Sequence, residues 1–125
     1  MSAATHRGLV LAYWQHANAR DWPAFGALLA PGLLYEVPQT RERVRGRDKY
    51  LEFNRTWPGD WRAVVERIVA DDTQAVSEIR FLVDGQVMTG LSFFVFEGGL
   101  VQRITDYWPE AYEPPARMTG VIERY

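Results

Sequence analysis

The chain of 125 residues is long enough for one hydrophobic core and too short for two, so we expect a single domain over residues 1–125 whose residues 110–125 form a C-terminal tail. A composition of 47% hydrophobic and 24% charged residues excludes a disordered chain, and a formal net charge of −2 argues against a nucleic-acid partner. The absence of cysteine excludes disulfides and thiolate metal sites. No stretch approaches a membrane span and no leader is recognisable, so we expect a cytoplasmic protein with no membrane association.

Helical periodicity dominates the N-terminal half. Apolar side chains recur at intervals of three and four residues from Ala3 to Ala19, which predicts a first helix. Asp21 is a suitable cap for a short second helix with Pro23 in its first turn, and Ala30-Pro31-Gly32 is expected to end it.

A short strand and a third helix follow. The run from Leu33 to Val37 predicts a strand, and residues 39–47 with their four arginines predict a charged loop. Such a loop is more often a solvated surface than an anion site, and both interpretations stay open. Asp48 is predicted to cap the third helix, which Pro58-Gly59-Asp60 ends.

From Trp61 onward the pattern has period two. Four strands are predicted over residues 61–70, 74–83, 86–96 and 100–107, and the Asp- and Gly-rich connections between them favour an antiparallel meander. Three N-terminal helices followed by these strands predict an α+β fold, in which a cone-shaped, curved antiparallel sheet wraps around the helices and encloses a pocket. Small ligands usually bind in such concavities.

The last predicted hairpin carries a family resemblance. Residues 94–108 run as an aromatic strand, a Gly-Gly turn and a closing strand that ends in Asp106, one spacer and Trp108. Together with Tyr13 ahead of Asn18-Ala19-Arg20-Asp21 and with Tyr35-Glu36-Val37-Pro38, this hairpin resembles the nuclear-transport-factor-two-like superfamily. The ending of the chain is most similar to its small SnoaL-like members, which are related to polyketide cyclases and ketosteroid isomerase.

The resemblance implies functional roles for some positions, whereas other positions lack the side chains that the family uses for catalysis. Tyr13 matches the ketosteroid isomerase tyrosine that donates a hydrogen bond to the substrate oxygen, and Trp108 matches an aromatic pocket wall. Val37 stands where that enzyme has its catalytic base, and Ser92 stands where it has a second, protonated aspartate. The resemblance therefore does not imply the steroid isomerase mechanism, and no Arg-x-Asp pair of the kind used by the related epoxide hydrolases is present.

Asp106 is the main candidate for catalysis. Strand alternation places it on the same face as Trp108, so both side chains are expected to line the pocket. A carboxyl group among aromatic rings has its charged form disfavoured, which moves its pKa toward that of a general acid or base. The alternative is an Asp106 that pairs with an arginine or accepts a backbone hydrogen bond at the rim.

Tyr13 and the two histidines complete the polar candidates. A buried Tyr13 hydroxyl needs a partner, which we expect to be a ligand or Asp106; core packing alone is the alternative. His16, one turn further along the helix, is a candidate proton carrier at the pocket mouth or a solvated helix residue. His6 lies near an end that is expected to fray, so no metal site is predicted.

The remaining candidates, which are apolar or aromatic residues apart from Ser92, are expected to line the pocket. They are Trp14, Tyr35, Val37, Trp57, Phe81, Ser92, Phe94 and Trp108, with His16 at the mouth. Two functions remain open: a cofactor-free isomerase, cyclase or lyase in which Asp106 moves a proton and Tyr13 donates a hydrogen bond to a small hydrophobic oxygenated molecule, and a ligand-binding or interaction module without catalysis. A homodimer formed through the convex side of the sheet is expected.

Overall fold

The three predicted helices are present. The computed structural model describes residues 2–125, and its helices are α1 (Ala3–Ala19), α2 (Trp22–Ala27) and α3 (Arg47–Arg55). Asp21 caps α2 as predicted, because its carboxylate accepts a hydrogen bond from the Ala24 amide. Helix α3 has Gly46 at its cap position in place of the predicted Asp48, whose negative charge instead lies in the first turn.

Six strands form one curved, open sheet. They are β1 (Leu29–Val37), β2 (Glu42–Arg45), β3 (Arg62–Ala70), β4 (Gln74–Val83), β5 (Gln86–Glu97) and β6 (Leu100–Tyr107). Their order across the sheet is β2-β1-β6-β5-β4-β3. The predicted α+β class and the antiparallel meander of the last four strands are confirmed. The sheet departs from a fully antiparallel one because β1 pairs in parallel with β6.

Two local predictions on the early strands are wrong. Strand β1 begins at Leu29, so Ala30-Pro31-Gly32 lies within it; Leu29 pairs separately from Leu34 across an irregularity in the register. The expected charged loop contains β2, which pairs antiparallel with the end of β1. Strand β2 is an edge strand with exposed charged side chains, which prevent edge strands from pairing with other chains. Because its side chains are mostly charged, the sequence shows no alternation of apolar and polar residues by which the strand could be predicted.

Helix α1 is held against the sheet at both ends. Near its start, His6 is buried, stacks on Phe96 at 4.0 Å between ring centroids, and contacts the Asp71 carbonyl oxygen through Nδ1 at 2.9 Å. The expectation of a frayed end at His6 is therefore wrong. Near its end, the Asn18 amide group donates to the Ala63 carbonyl at 2.7 Å and accepts from the Ala63 amide at 2.8 Å.

Arg20 terminates α1 and joins it to β3. Its left-handed backbone conformation (φ 58°) lets its amide bond the Ala17 carbonyl, and its guanidinium donates to the carbonyls of Ala17 and Trp61. The same guanidinium lies 3.6 Å from the centre of the Trp61 ring, a cation–π arrangement. These contacts fix the distance between the helix and the concave face of the sheet. No helix among residues 2–125 combines the length and apolar character needed to cross a bilayer.

Gly90 of β5 makes room for Trp108 at the end of β6. A Cβ atom at position 90 would lie 2.8 Å from the Trp108 ring and 3.1 Å from Ile79. The Trp108 main chain is held by the Gln39 side chain, which donates to its carbonyl at 3.0 Å and accepts from its amide. The Trp108 indole therefore lies directly on the backbone of the sheet at Gly90. The Gln39 side chain holds its main chain in this position.

Replacing this glycine tests that packing. We expect Gly90→Ala to lower the free energy of unfolding by about 1–3 kcal/mol, the usual effect of overpacking, and to shift tryptophan fluorescence because the indole is displaced. The matched control is Gly8→Ala in α1, where a new Cβ meets no atom within 4 Å. That control should stabilise the protein by about 0.5–1 kcal/mol through helix propensity. Urea unfolding that shows equal effects for the two variants would contradict the packing argument.

Candidate functional site

A cavity of about 570 Å³ lies between α1, α3 and the concave face of the sheet. Its wall is mainly apolar and aromatic, with a few polar groups. Eight of the predicted residues line it: Tyr13, Trp14, Tyr35, Val37, Trp57, Phe81, Asp106 and Trp108. The other lining residues are Ala17, Thr40, Glu42, Arg43, Val44, Tyr50, Phe53, Asn54 and Trp61.

Asp106 is the buried carboxyl group of the cavity. It is only 7% exposed, and each of its oxygens accepts one hydrogen bond. The Tyr35 hydroxyl donates to Oδ2 at 2.6 Å, and the Ser92 hydroxyl donates to Oδ1 at 2.6 Å. The sheet places these donors, since Ser92 is the direct partner of Asp106 on β5 and Tyr35 belongs to the other neighbouring strand, β1.

Burial dominates the ionisation of this carboxyl group. Loss of hydration raises the pKa of Asp106 from 3.8 to about 6, although the hydrogen bonds from Ser92 and Tyr35 oppose the rise by stabilising the anion. Within residues 2–125, no arginine or lysine contacts the group, so the alternative of an arginine pair at the rim does not hold. The carboxyl group can therefore exchange a proton close to neutral pH, as general acids and bases do.

A pair of tyrosines lies near this carboxyl group. The hydroxyls of Tyr13 on α1 and Tyr50 on α3 are hydrogen-bonded to each other, and both side chains are almost fully buried. Burial raises the pKa of both phenols above the usual value, and the nearby Asp106 charge raises them further. Two hydroxyls that share one hydrogen bond retain one hydrogen for a third group. The pair is thus a neutral donor that faces the cavity.

Two groups of aromatic rings line the cavity. On the α3 side, Phe53 packs 5.2 Å from Tyr35 and 5.5 Å from Trp57. On the β3–β5 side, Phe81 lies 5.5 Å from Trp61 and 5.3 Å from Trp108. Such a lining suits a ligand with a ring system, because aromatic faces and edges attract other π systems.

Polar residues gather where the cavity meets solvent. Thr40, Glu42 and Arg43 come from the β1–β2 hairpin, and Trp57 is 43% exposed at the end of α3. Arg43 is not free to bind an anion, since its guanidinium donates to Glu36 at 2.8 Å. The bonds from Arg43 and Arg103 hold the pKa of Glu36 below its usual value. These contacts favour the solvated interpretation of the arginine segment.

Three predicted lining residues lie outside the cavity wall. Ser92 is behind Asp106, and Phe94 is covered by Tyr13 at 5.1 Å between ring centroids. His16 is only partly buried and is rotated by roughly 100° from the middle of the stripe formed by Tyr13, Trp14 and Ala17. Ser92 still acts on the site through its bond to Asp106, whereas Phe94 and His16 do not contact the cavity.

The structure gives Tyr13 a protein partner that the sequence analysis did not name. Its hydroxyl bonds Tyr50, not Asp106, and Tyr50 was not among the predicted site residues. The helical spacing of Tyr50, Phe53, Asn54 and Trp57 was visible in the sequence, but that spacing is equally typical of a core helix. The signal that could have identified these site residues was the clustering of three aromatic side chains and one amide side chain on one face of α3. Among residues 2–125, no three His, Asp or Glu side chains converge so as to hold a metal ion.

Comparisons with known proteins identify the family. A family model described as the SnoaL-like domain matches residues 10–104. Since this span is most of the chain, the protein belongs to the SnoaL-like family, and the resemblance seen in the sequence is confirmed. No protein with a curated description matches the chain.

Solved structures agree with this assignment. A protein from Kribbella flavida DSM 17836, named as a candidate ketosteroid isomerase, is 41% identical over 98% of this chain and 91% of its own, with a TM-score of 0.94. A candidate polyketide cyclase from Xanthomonas campestris is 25% identical over 86% and 92% of the two chains, with a TM-score of 0.73. A protein of unknown function from Burkholderia xenovorans LB400 is 24% identical over 96% and 99%, with a TM-score of 0.83, and supports the fold alone.

The raised pKa of Asp106 predicts a pH-dependent stability. An acid with a folded-state pKa above its unfolded value favours folding at low pH, and this contribution is lost as the pH rises through the folded pKa. Between pH 4 and pH 7 the loss for Asp106 should be about 2–3 kcal/mol, the free-energy equivalent of a pKa change from 3.8 to about 6.

The variant Asp106→Asn removes the ionisation, and both hydroxyl partners can still bond the amide. Its stability relative to the native protein should therefore rise between pH 4 and pH 7. Urea unfolding at several pH values measures the difference. A difference that stays constant with pH would contradict the raised pKa. Asp72→Asn, an exposed carboxylate in a turn, is the control and should show little change.

Proposed function

We propose that this SnoaL-like protein binds a small, flat, largely apolar molecule that carries a carbonyl oxygen, and that Asp106 moves a proton on that molecule without a cofactor. The reaction belongs to the isomerase, cyclase or lyase class, in which a hydrogen is removed from carbon next to a carbonyl group. The observation that carries the proposal is a buried carboxyl group with a pKa of about 6 in an apolar cavity, next to a tyrosine pair with a free hydroxyl hydrogen.

The proposed step uses two polar groups. Each Asp106 oxygen accepts one hydrogen bond, which leaves it a second lone pair for a substrate proton. As the carbon–hydrogen bond breaks, the proton passes to Asp106 and the electron pair moves onto the substrate oxygen as an enolate. A hydroxyl of the Tyr13–Tyr50 pair donates to that oxygen. Return of the proton to another carbon, or expulsion of a leaving group, completes an isomerisation or an elimination.

The aromatic walls support this step physically. A ring in contact with the Phe53 and Phe81 groups excludes water from the reacting atoms, and hydrogen bonds to a developing oxyanion are stronger in such surroundings. The tyrosine hydroxyls have raised pKa values, so they remain neutral donors throughout the physiological range.

The site differs from the arrangement of catalytic groups in ketosteroid isomerase, as Val37 and Ser92 led us to expect. Val37 lines the cavity without a carboxyl group, and Ser92 donates to Asp106 in place of acting as an acid. The buried carboxyl group, Asp106, thus lies one strand away from Ser92, on β6. We propose that Asp106 replaces the missing base, with Ser92 and Tyr35 holding it in position.

A second candidate function is ligand binding without catalysis. The observation that favours it is that both oxygens of Asp106 are already bonded by Ser92 and Tyr35, as they would be in a purely structural network. In that case the cavity would still bind flat molecules, but the carboxyl group would not exchange protons with them.

Deuterium exchange on 2-tetralone distinguishes the two functions. This aromatic ketone has acidic hydrogens next to its carbonyl group, and their replacement by deuterium in D₂O can be followed by NMR. We expect the native protein to accelerate the exchange, with a rate that rises through pH about 6 as Asp106 becomes ionised and then levels off. Asp106→Asn should lose at least about 100-fold of that acceleration, since a positioned base contributes about 10²–10⁴-fold.

Binding of the same ketone is measured in parallel through fluorescence of the cavity tryptophans. Asp72→Asn is the matched control and should leave both binding and exchange unchanged. Binding by the native protein without any acceleration of exchange would support the binding module and refute catalysis. Failure to bind any member of a series of one- to three-ring ketones would refute both functions.

The tyrosine pair makes a separate prediction. Since the two hydroxyls share one hydrogen bond, Tyr13→Phe or Tyr50→Phe alone still leaves one donor, and we expect each to lower the exchange rate by only about threefold or less. The double variant has no donor and should lose about 100- to 1000-fold, the usual effect of removing an oxyanion donor. Steady-state exchange rates measure the three effects, and additive effects in the double variant would contradict a shared donor.

A further inference from the structure

The charges at the solvent-facing end of the cavity, here called the mouth, are not balanced. Within residues 2–125, the carboxyl and guanidinium groups that line the cavity belong to Asp106, Glu42 and Arg43. Asp106 is buried at the inner end, and Arg43 is bonded to Glu36. The Glu42 carboxylate has no ion-pair partner in the same part of the chain. The uncompensated charge at the mouth is therefore negative.

The register of the β1–β2 hairpin places Glu42 on the cavity side of the sheet. In this hairpin Val37 lies opposite Glu42, and Tyr35 lies opposite Val44. Directly opposed residues of antiparallel strands project from the same face of a sheet. Since Val37 and Tyr35 line the cavity, their partners do so as well, and all four belong to its lining. Strand pairing thus fixes the direction of the Glu42 side chain.

The charge of Glu42 acts on groups inside the cavity. Burial and the charge of Asp106 are the main causes of the raised pKa of Tyr35, and the charge of Glu42 adds to them. The Tyr35 hydroxyl is the group that donates to Asp106 at 2.6 Å. A ligand that extends from Asp106 to the mouth therefore lies within the field of the Glu42 carboxylate.

Aromatic rings connect the inner end of the cavity with its mouth. The rings of Tyr35 and Phe53 are 5.2 Å apart, and those of Phe53 and Trp57 are 5.5 Å apart. Tyr35 is bonded to Asp106, whereas Trp57 is 43% exposed at the mouth. The face of an indole attracts cations. Trp57 and Glu42 thus favour the same sign of charge on a ligand.

The other arginines of this segment do not neutralise Glu42. Arg45 is three residues away on β2, so it projects from the opposite face of the strand. Arg47 is paired with Asp48 at 3.9 Å. Arg41 lies in the turn before β2 and is not part of the cavity lining. The Glu42 carboxylate therefore remains available to a ligand.

We propose that the molecule bound in this cavity is an organic cation whose positive charge lies at the end remote from its carbonyl group, and that Glu42 and Trp57 select for this charge at the mouth. The inference rests on the proposed function, in which the carbonyl group lies at the inner end near Asp106. Because solvent reaches the mouth, the ion pair and the cation–π contact each favour a charged ligand by about two- to fivefold. The substrate class is thus a flat aromatic ketone that carries an ammonium group.

Two ligands of equal shape test the selection. They are 2-tetralones that carry at C6, across the ring system from the carbonyl group, either a trimethylammoniomethyl group or the neutral 2,2-dimethylpropyl group. Isothermal titration calorimetry gives the Kd of each, and the ratio of the neutral Kd to the cationic Kd measures the selection for charge. We expect Glu42→Gln and Trp57→Leu each to lower this ratio by about two- to fivefold.

Two controls show whether the effect is a local contact. Glu52→Gln removes an exposed carboxylate of α3 outside the cavity lining and should leave the ratio unchanged. An increase of the salt concentration from about 0.05 M to about 0.5 M should lower the ratio for the native protein, because ions screen exposed charges. The same increase should have a much smaller effect on Glu42→Gln.

The outcomes separate this inference from the proposed function. A ratio that changes by less than twofold in Glu42→Gln would overturn the selection, as would an equal decrease in Glu52→Gln. A decrease found only in Asp106→Asn would mean that the cation binds at the inner end, and it would overturn the proposal too. Binding and deuterium exchange of the neutral ketone test the proposed function alone, whereas failure of both ligands to bind would refute both proposals.

Discussion

The arrangement of this protein depends on the burial of one carboxyl group. Asp106 sits on the strand that joins both parts of the sheet, between β5 and the parallel strand β1, and it accepts bonds from Ser92 and Tyr35 of those two neighbours. The two hydroxyls compensate part of the cost of burial, and the remainder appears as a pKa of about 6. The surrounding aromatic rings create this apolar environment, while the contacts of Asn18 and Arg20 with β3 keep α1 from closing the space. The apolar cavity around the buried Asp106 carboxyl group thus underlies both proposed properties, the binding of a flat molecule and the transfer of a proton.

Much of the fold could be predicted because its signals are local. The period-two pattern and the Gly-rich turns identified the last four strands, and the helical spacing from Ala3 to Ala19 identified α1. The shared face of Asp106 and Trp108 follows from strand alternation, and both line the cavity. The strand Glu42–Arg45 was not predicted, because an exposed edge strand of charged residues has no apolar face and therefore no alternation of apolar and polar side chains.

The site itself could be predicted only in part, since its key contacts join distant segments. Alternation indicates which face of a strand Phe94 occupies, but not that Tyr13 covers it. The bond between Tyr13 and Tyr50, the clamp of Gln39 on Trp108 and the burial of His6 against Phe96 each depend on how helices and strands meet. The parallel pairing of β1 with β6 is of the same kind, because no turn connects the two strands.

The central claim is that Asp106 is a buried acid that titrates close to neutral pH. An NMR titration of its side-chain carboxyl carbon, assigned by comparison with Asp106→Asn, tests this claim most directly. The account predicts a single transition near pH 6 for this carbon, well above the transitions of exposed aspartates. A transition at or below pH 4 would mean that the Ser92 and Tyr35 bonds fully stabilise the anion, and it would contradict a role for Asp106 in proton transfer near neutral pH.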